Sequence, residues 1–262
     1  MIVLDGRPLS SDGADRYMDA LLEAWNPAEK GAQAIADVLL GAYNPGGKLP
    51  LSVARCAGQA PLYYNHPNGS AWHQGDSIGF KEYVDMPHTP RYCFGYGLSY
   101  TNFSYSDLHI WAAGSVAAPG QNSMEGGLSS KEERNQAAST ESDRGQEPPM
   151  ETVCILPDDT VGIRVTVENI GAAAGDEVVQ FYVRDCFASM ARPVKELAGF
   201  RRVHLEPGER KRVTFLMKAS QMAFLEEEMC WKTEKGLMEG QLGSSSEDIG
   251  LTGTYTVTED GC

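Results

Sequence analysis

The sequence predicts an α/β remnant followed by an all-β sandwich. Three observations carry that prediction. Residues 1–108 mix a β-branched triplet with stretches of helical spacing, whereas residues 151–262 switch to a period of two. Between them, from Ala113 to Pro149, the large apolar residues are Val116, Met124 and Leu128 in a background of Ser, Gly, Ala, Gln, Glu and Pro. A stretch of that composition buries too little surface to offset its ordering entropy, so 109–150 is expected to be a low-complexity, disordered insert.

The first part opens on Ile2-Val3-Leu4, read as the end of a buried strand that stops at Asp5-Gly6-Arg7-Pro8. Tyr17, Met18, Leu21, Leu22 and Trp25 share a face at helical spacing, which predicts a helix over 15–25. A second helix is expected over 27–40, with Pro27 in its first turn, Ala32, Ile35, Ala36 and Leu39 as its stripe, and Gly41 just past its end. Asn44-Pro45-Gly46-Gly47 is a turn and 48–53 is extended. One strand stub and two striped helices need a larger sheet to cover them. Residues 1–108 therefore read as the tail of a bigger domain.

In the third part Val161, Ile163, Val165 and Val167 alternate with polar neighbours. Val179/Phe181/Val183, Val213/Phe215/Met217 and Leu251/Gly253/Tyr255/Val257 do the same. Asn169-Ile170-Gly171, Glu206-Pro207-Gly208 and Lys235-Gly236 supply turns between them. Strands at this spacing, each with one wet face, predict a β-sandwich over 151–262. Arg201, Arg202, Arg210, Lys211 and Arg212 are read as the wet face of a strand pair joined by the Pro207-Gly208 turn.

The net charge of −14 repels a phosphate backbone, which excludes nucleic acid as a partner, and no apolar run is long enough to cross a bilayer. Met1-Ile2-Val3-Leu4 runs straight into Asp5-Gly6-Arg7 with no basic leader. Location is left open, with a slight lean to the cytoplasm. The six cysteines are scattered without a C-x-x-C and are expected to be reduced thiols.

Several segments carry a resemblance. Gly31-Ala32-Gln33-Ala34-Ile35-Ala36-Asp37-Val38-Leu39-Leu40-Gly41 with Asn44-Pro45-Gly46-Gly47-Lys48-Leu49-Pro50 is one, and Tyr92-Cys93-Phe94-Gly95-Tyr96-Gly97-Leu98-Ser99-Tyr100-Thr101-Asn102-Phe103 is another. Pro193-Val194-Lys195-Glu196-Leu197-Ala198-Gly199-Phe200 and Leu242-Gly243-Ser244-Ser245-Ser246-Glu247-Asp248-Ile249 complete the set. In this order they resemble the C-terminal portion of glycoside hydrolase family 3, of the β-glucosidase/β-xylosidase type. The resemblance implies that 1–108 is the C-terminal end of an α/β sandwich domain and 151–262 a fibronectin type III-like sandwich. Cys93 departs from a usual proline. Gly240 interrupts a normally continuous strand and puts the register of the last hairpin in question.

The activity implied is retaining hydrolysis of terminal non-reducing β-D-glucosyl or β-D-xylosyl residues. That chemistry needs a nucleophilic carboxylate and an acid with raised pKa about 5 Å apart. In the family both lie upstream of the turn matching Asp5-Gly6-Arg7-Pro8-Leu9, so no catalytic residue is assigned here. The implied partners are a β-glucoside or β-xyloside, met through the parent enzyme, and the missing barrel and α/β body. The chain's own acids offer no substitute: Glu226-Glu227-Glu228 is a turn-like run, Glu132-Glu133 falls in the insert, and Asp12, Asp15 and Asp19 suit a helix start. No cofactor and no metal are expected, since the spacing of His66, His73 and Asp76 matches no common site. Trp72 and His73 are the candidate substrate contacts, because an indole face beside amide and imidazole groups suits stacking on a pyranose. A second reading stays open, in which the β-sandwich is a non-catalytic carbohydrate-binding or structural module.

Overall fold

The computed structural model describes residues 2–3, 6, 14–68, 86–114 and 153–259. The first part holds β1 (Ile2–Val3), α1 (Ala14–Tyr17), β2 (Leu22–Glu23) and α2 (Gly31–Leu39). β1 and β2 pair in parallel, Ile2 with Leu22 and Val3 with Glu23. The helix expected over 15–25 is therefore a single turn followed by a strand. Leu21, Leu22 and Trp25 satisfy a helical spacing, but the parallel partner at Ile2–Val3 draws the segment into extended form, and Trp25 takes φ 51°.

The second helix starts later than Pro27. Gly31 N–H donates to Ala28 O at 2.8 Å, so 28–31 is a turn. A Cβ on Gly31 would lie 2.1 Å from the Pro27 ring, so Pro27 folds over the helix start instead of entering it. Gly41, at φ 75°, closes α2 by donating to Val38 O at 3.1 Å, as its sequence position predicts. The extended run 48–53 lies beside 91–97, with Leu49 N–H on Tyr96 O and Val53 N–H on Tyr92 O, both at 2.8 Å.

The β-sandwich contains β3 (Phe103–Gly114), β4 (Val153–Ile155), β5 (Thr160–Asn169), β6 (Gly175–Asp185), β7 (Glu196–Leu205) and β8 (Arg210–Lys218). The short pair β9 (Phe224–Leu225) and β10 (Trp231–Lys232) precedes β11 (Gly236–Gly243) and β12 (Ile249–Val257). One sheet has the order β4-β12-β11-β6-β7 and the other β3-β5-β8. Phe103–Gly114 pairs antiparallel with β5, so residues 109–114, expected to open the insert, continue a strand of the sandwich. His109, Ile110 and Trp111 alternate and pair with Arg164, Ile163 and Gly162. The rest of the expected insert, 115–150, lies outside the described residues.

The alternating residues of the sequence make the core. Val161, Ile163, Val165 and Val167 of β5 face Val179, Phe181 and Val183 of β6, joined by Val213, Phe215, Met217, Tyr255 and Val257. Gly240 does not disturb the register. It pairs with Gly253 on β12 and Val183 on β6, and the irregularity in the β11–β12 ladder falls at Leu242/Gly243. A Cβ on Gly240 would meet Ile163 Cδ1 at 3.1 Å, and one on Gly253 would meet Ile110 Cδ1 at 2.8 Å. The missing side chains make room for the opposite sheet.

The basic cluster is not one strand pair. β7 pairs with β6 and β8 with β5, so the Pro207-Gly208 turn, with Gly208 at φ 76°, carries the chain between sheets. A turn signal fixes a reversal but not which ladder each arm joins. Arg202 meets Asp176 at 2.5 Å in one sheet, and Arg210 meets Glu168 at 2.9 Å in the other. Cys154 is disulfide-bonded, against the expectation of reduced thiols, whereas Cys56, Cys93, Cys186 and Cys230 are free.

Candidate functional site

The segments singled out by motif meet at one seam between the first part and the sandwich. The loop after β11 is held by Ser244 Oγ on Asp248 Oδ2 at 2.5 Å and Asp248 N–H on Ser245 Oγ at 3.0 Å. Ser246 N–H then donates to Phe94 O at 2.9 Å, and Cys93 Sγ lies 3.4 Å from Ser245 Oγ. Buried Gln180 on β6 ties both sides together: its amide donates to Gly95 O at 3.1 Å and Ser244 O at 2.5 Å, and accepts Tyr182 Oη–H at 2.5 Å. Gly95 stands at φ 79°, and a Cβ there would lie 2.1 Å from Gln180 Oε1. Glycine is required on both counts.

Aromatic rings extend the seam. Tyr64 stacks on Phe94 with ring centres 4.2 Å apart and meets Tyr182 edge-on at 5.9 Å. Its hydroxyl accepts Leu197 N–H at 3.1 Å, and burial pushes that hydroxyl's pKa up. Lys195, immediately before β7, donates to Ser246 O at 2.5 Å. Burial pulls the Lys195 ammonium down, partly offset by Glu247 at 3.8 Å.

Two further polar knots join the parts. Asn44 accepts Ser99 Oγ–H at 2.9 Å and Tyr100 N–H at 2.8 Å, and donates to Ala174 O at 2.9 Å. Glu177 is 3% exposed, accepts the Tyr105 hydroxyl at 2.8 Å and faces Lys48 Nζ at 3.5 Å. Burial raises the Glu177 carboxyl despite both partners, so desolvation outweighs the Lys48 charge. Gln180, Asn44 and Glu177 are spent on joining the parts. The seam is positional, with its hydrogen-bonding capacity turned inward.

Trp72 and His73 lie outside the described residues, as does Asp76. Both flanks of their segment are described. Upstream, Asn68 N–H donates to Arg192 O at 2.9 Å and Val194 N–H to His66 O at 3.0 Å, anchoring 66–68 to the approach to β7. Downstream, the buried Gln59 amide donates to Pro87 O, His88 O and Thr89 O at 3.0–3.3 Å, and Arg55 reaches Thr89 O at 2.9 Å. Sequence reading missed Gln59, Gln180 and Lys195 as anchors, because each works on a partner distant in the chain. Of the acids weighed as catalytic, Glu226 pairs with Lys232 at 2.9 Å and Asp19 is exposed. Asp12, Glu132 and Glu133 lie outside the described residues, and the Asp15 side chain is likewise not described.

The first part leaves apolar side chains uncovered. Leu39 and Leu40 at the end of α2 are 57% and 84% exposed, and Tyr17, Met18 and Leu98 are exposed too. α2 buries none of its residues.

A family model for the glycosyl hydrolase family 3 C-terminal domain matches residues 1–100, and one for a fibronectin type III-like domain matches 177–246. A periplasmic beta-glucosidase of Salmonella typhimurium is 35% identical over 251 residues, 95% of this chain and 28% of that protein. A putative beta-xylosidase of Formosa agariphila is 30% identical over 94% of this chain and 26% of its own length. The crystal structure of a beta-glucosidase from Listeria innocua aligns with a TM-score of 0.75 at 31% identity, covering 98% of this chain and 30% of the other. The chain thus spans less than a third of the relatives it matches.

Proposed function

This chain belongs to glycosyl hydrolase family 3 through a C-terminal domain and a fibronectin type III-like domain, and we propose that it serves as the C-terminal part of a retaining β-glycosidase. The parent removes terminal non-reducing β-D-glucosyl or β-D-xylosyl residues, with its nucleophilic Asp and acid/base Glu supplied by upstream sequence. The observation that carries this reading is the pairing of a match to the C-terminal domain with an uncovered apolar face on that same part. Side chains such as Leu39 and Leu40 are dressed for burial against further α/β structure. The sandwich, gripping the first part through Gln180, Ser246 and Glu177, is a buttress that holds it in place. In the same reading 1–108 and 151–262 act as two modules, and Trp72 and His73 contact the sugar.

The test has two arms. Incubated alone with 4-nitrophenyl β-glucoside or β-xyloside, this chain releases no nitrophenol above buffer. Substituted for the matching C-terminal part of the Salmonella relative, it gives a folded chimera that hydrolyses the glucoside. In that chimera W72A and H73A raise KM more than they lower kcat. Turnover by the isolated chain, or a folded but inert chimera, refutes the proposal.

A further inference from the structure

On the side of the sandwich formed by the β9–β10 hairpin is a cleft of about 710 Å³, bounded by the turn at Pro157-Asp158, the 3₁₀ turn at Ser220-Gln221, β10 with the residues 233–235 that follow it, and Glu259. Its volume falls within the range of roughly 300–1,000 Å³ that small-molecule sites occupy. The hairpin is pinned by Phe224, buried beneath Arg192 whose guanidinium lies 5.2 Å over the ring. Glu226 N–H donates to Cys230 O at 3.0 Å across its turn. That framework presents Trp231, opposite Leu225, with 74% of its surface open to solvent. The indole offers the cleft a broad apolar face with an N–H donor at its edge.

The charges around the cleft are engaged within the protein. Lys232 Nζ meets Glu226 at 2.9 Å, Lys235 Nζ meets Glu259 at 3.3 Å, and Glu234 accepts Ser189 N–H at 2.9 Å. The lining sets those two lysines against Asp158, Glu234 and Glu259, and the chain as a whole is at −14, so a polyanion is a poor occupant. The other polar groups lining the cleft beside the Trp231 indole are the Gln221 amide, the Ser220 and Thr233 hydroxyls and the Asp158 carboxylate. An aromatic face with amide, hydroxyl and carboxylate groups beside it suits a ligand with C–H-rich faces and equatorial hydroxyls.

We propose that this cleft binds a neutral β-linked oligosaccharide, stacked on Trp231 and hydrogen-bonded by Gln221 and Ser220. The site makes no bond and breaks none; it holds the chain of sugars to the sandwich. The choice of β-linked sugars rests on the family reading above, but the site itself does not use the parent's catalytic groups.

The full chain is titrated calorimetrically with cellohexaose, laminarihexaose and xylohexaose. Wild type binds at least one of the three. Trp231→Ala weakens that binding at least about tenfold, the loss of about 1.4 kcal/mol of stacking. Gln221→Ala weakens it by a smaller factor, Trp231→Tyr retains most of it, and Phe200→Ala, which removes another exposed ring of the sandwich, leaves it unchanged. Thermal melting of each variant checks the fold, and Gln221→Ala, on an exposed turn, stands in if Trp231→Ala is unstable. No binding to any of the three, binding abolished by Trp72→Ala but not by Trp231→Ala, or binding of a proline-rich peptide at this face in place of sugar overturns the proposal. A failed chimera with intact Trp231-dependent binding sinks the glycosidase reading alone, and the converse sinks this site alone.

Discussion

Gly95→Ala puts the seam to its hardest test. Two costs add. At φ 79° an alanine is in the left-handed region, which costs roughly 1–2 kcal/mol. Its Cβ would also stand 2.1 Å from Gln180 Oε1, so the amide must leave. Leaving breaks the bonds to Gly95 O and Ser244 O and strips the buried Tyr182 hydroxyl of its acceptor. At about 1 kcal/mol per bond, the displacement adds roughly 2–3 kcal/mol. The total is about 4 kcal/mol. Amide hydrogen exchange at Ser246, whose N–H is held by Phe94 O, reads the seam directly and should speed up by about a thousandfold, since each 1.4 kcal/mol is a factor of ten. Urea unfolding reads the whole chain, and its midpoint should fall. Pairing with Gln180→Ala separates the costs: the double variant relieves the clash but keeps the strain, so the changes should fall short of additive by about 2 kcal/mol. An unchanged Ser246 exchange rate together with an unchanged urea midpoint would falsify the account of Gly95 and Gln180.

Other outcomes follow from the polar knots. Glu177→Gln, a neutral side chain that can still accept the Tyr105 hydroxyl, should change stability in urea unfolding by less than about 1 kcal/mol near neutral pH, because desolvation of the carboxylate outweighs the Lys48 charge, and a loss of several kcal/mol would contradict that balance. Because burial holds the Glu177 proton to higher pH in the folded chain than in the unfolded one, its contribution to stability declines as pH rises from the unfolded carboxylate value through the folded one. The decline should steepen in Lys48→Met, and a flat profile there would contradict the desolvation account. His204 bonds Asp176 at 2.6 Å, which raises its pKa above the usual histidine value. The stability it lends is present below the unfolded pKa and lost as pH rises through the folded one. An NMR titration should find the His204 midpoint displaced upward in wild type and moved back down by Asp176→Asn; no movement would rule out the carboxylate as cause.

The strands of 153–259 were legible because period-two alternation is a local signal: Val161 to Val167 and Val179 to Val183 face inward as their spacing implies. Asp15 to Trp25 misled because apolar residues at positions 17, 21, 22 and 25 fit a helix, while a distant parallel partner decides otherwise. The Arg cluster misled for a related reason, since a tight turn looks the same whether its arms pair with each other or with β6 and β5. The motifs around Gly95, Lys195 and Ser245 were visible as sequence, but their convergence depends on contacts across more than half the chain. Gln180 gives no local sign at all: it occupies an alternating strand position and becomes a clamp only when the loops on either side arrive.

The facing glycines Gly240 and Gly253 have a consequence for how the two sheets are indexed. Greasy surfaces packed face to face can slide by a residue pair at little enthalpic loss. Here one sheet has a socket two residues wide, and the tips of Ile110, Leu108 and Ile163 on the other are the teeth that enter it. A slip would drive those teeth into full side chains, so alignment is keyed by shape instead of by stickiness alone. Material bolted to either sheet, whether the first part on β6 or the hairpin bearing Trp231, therefore inherits a fixed mounting angle.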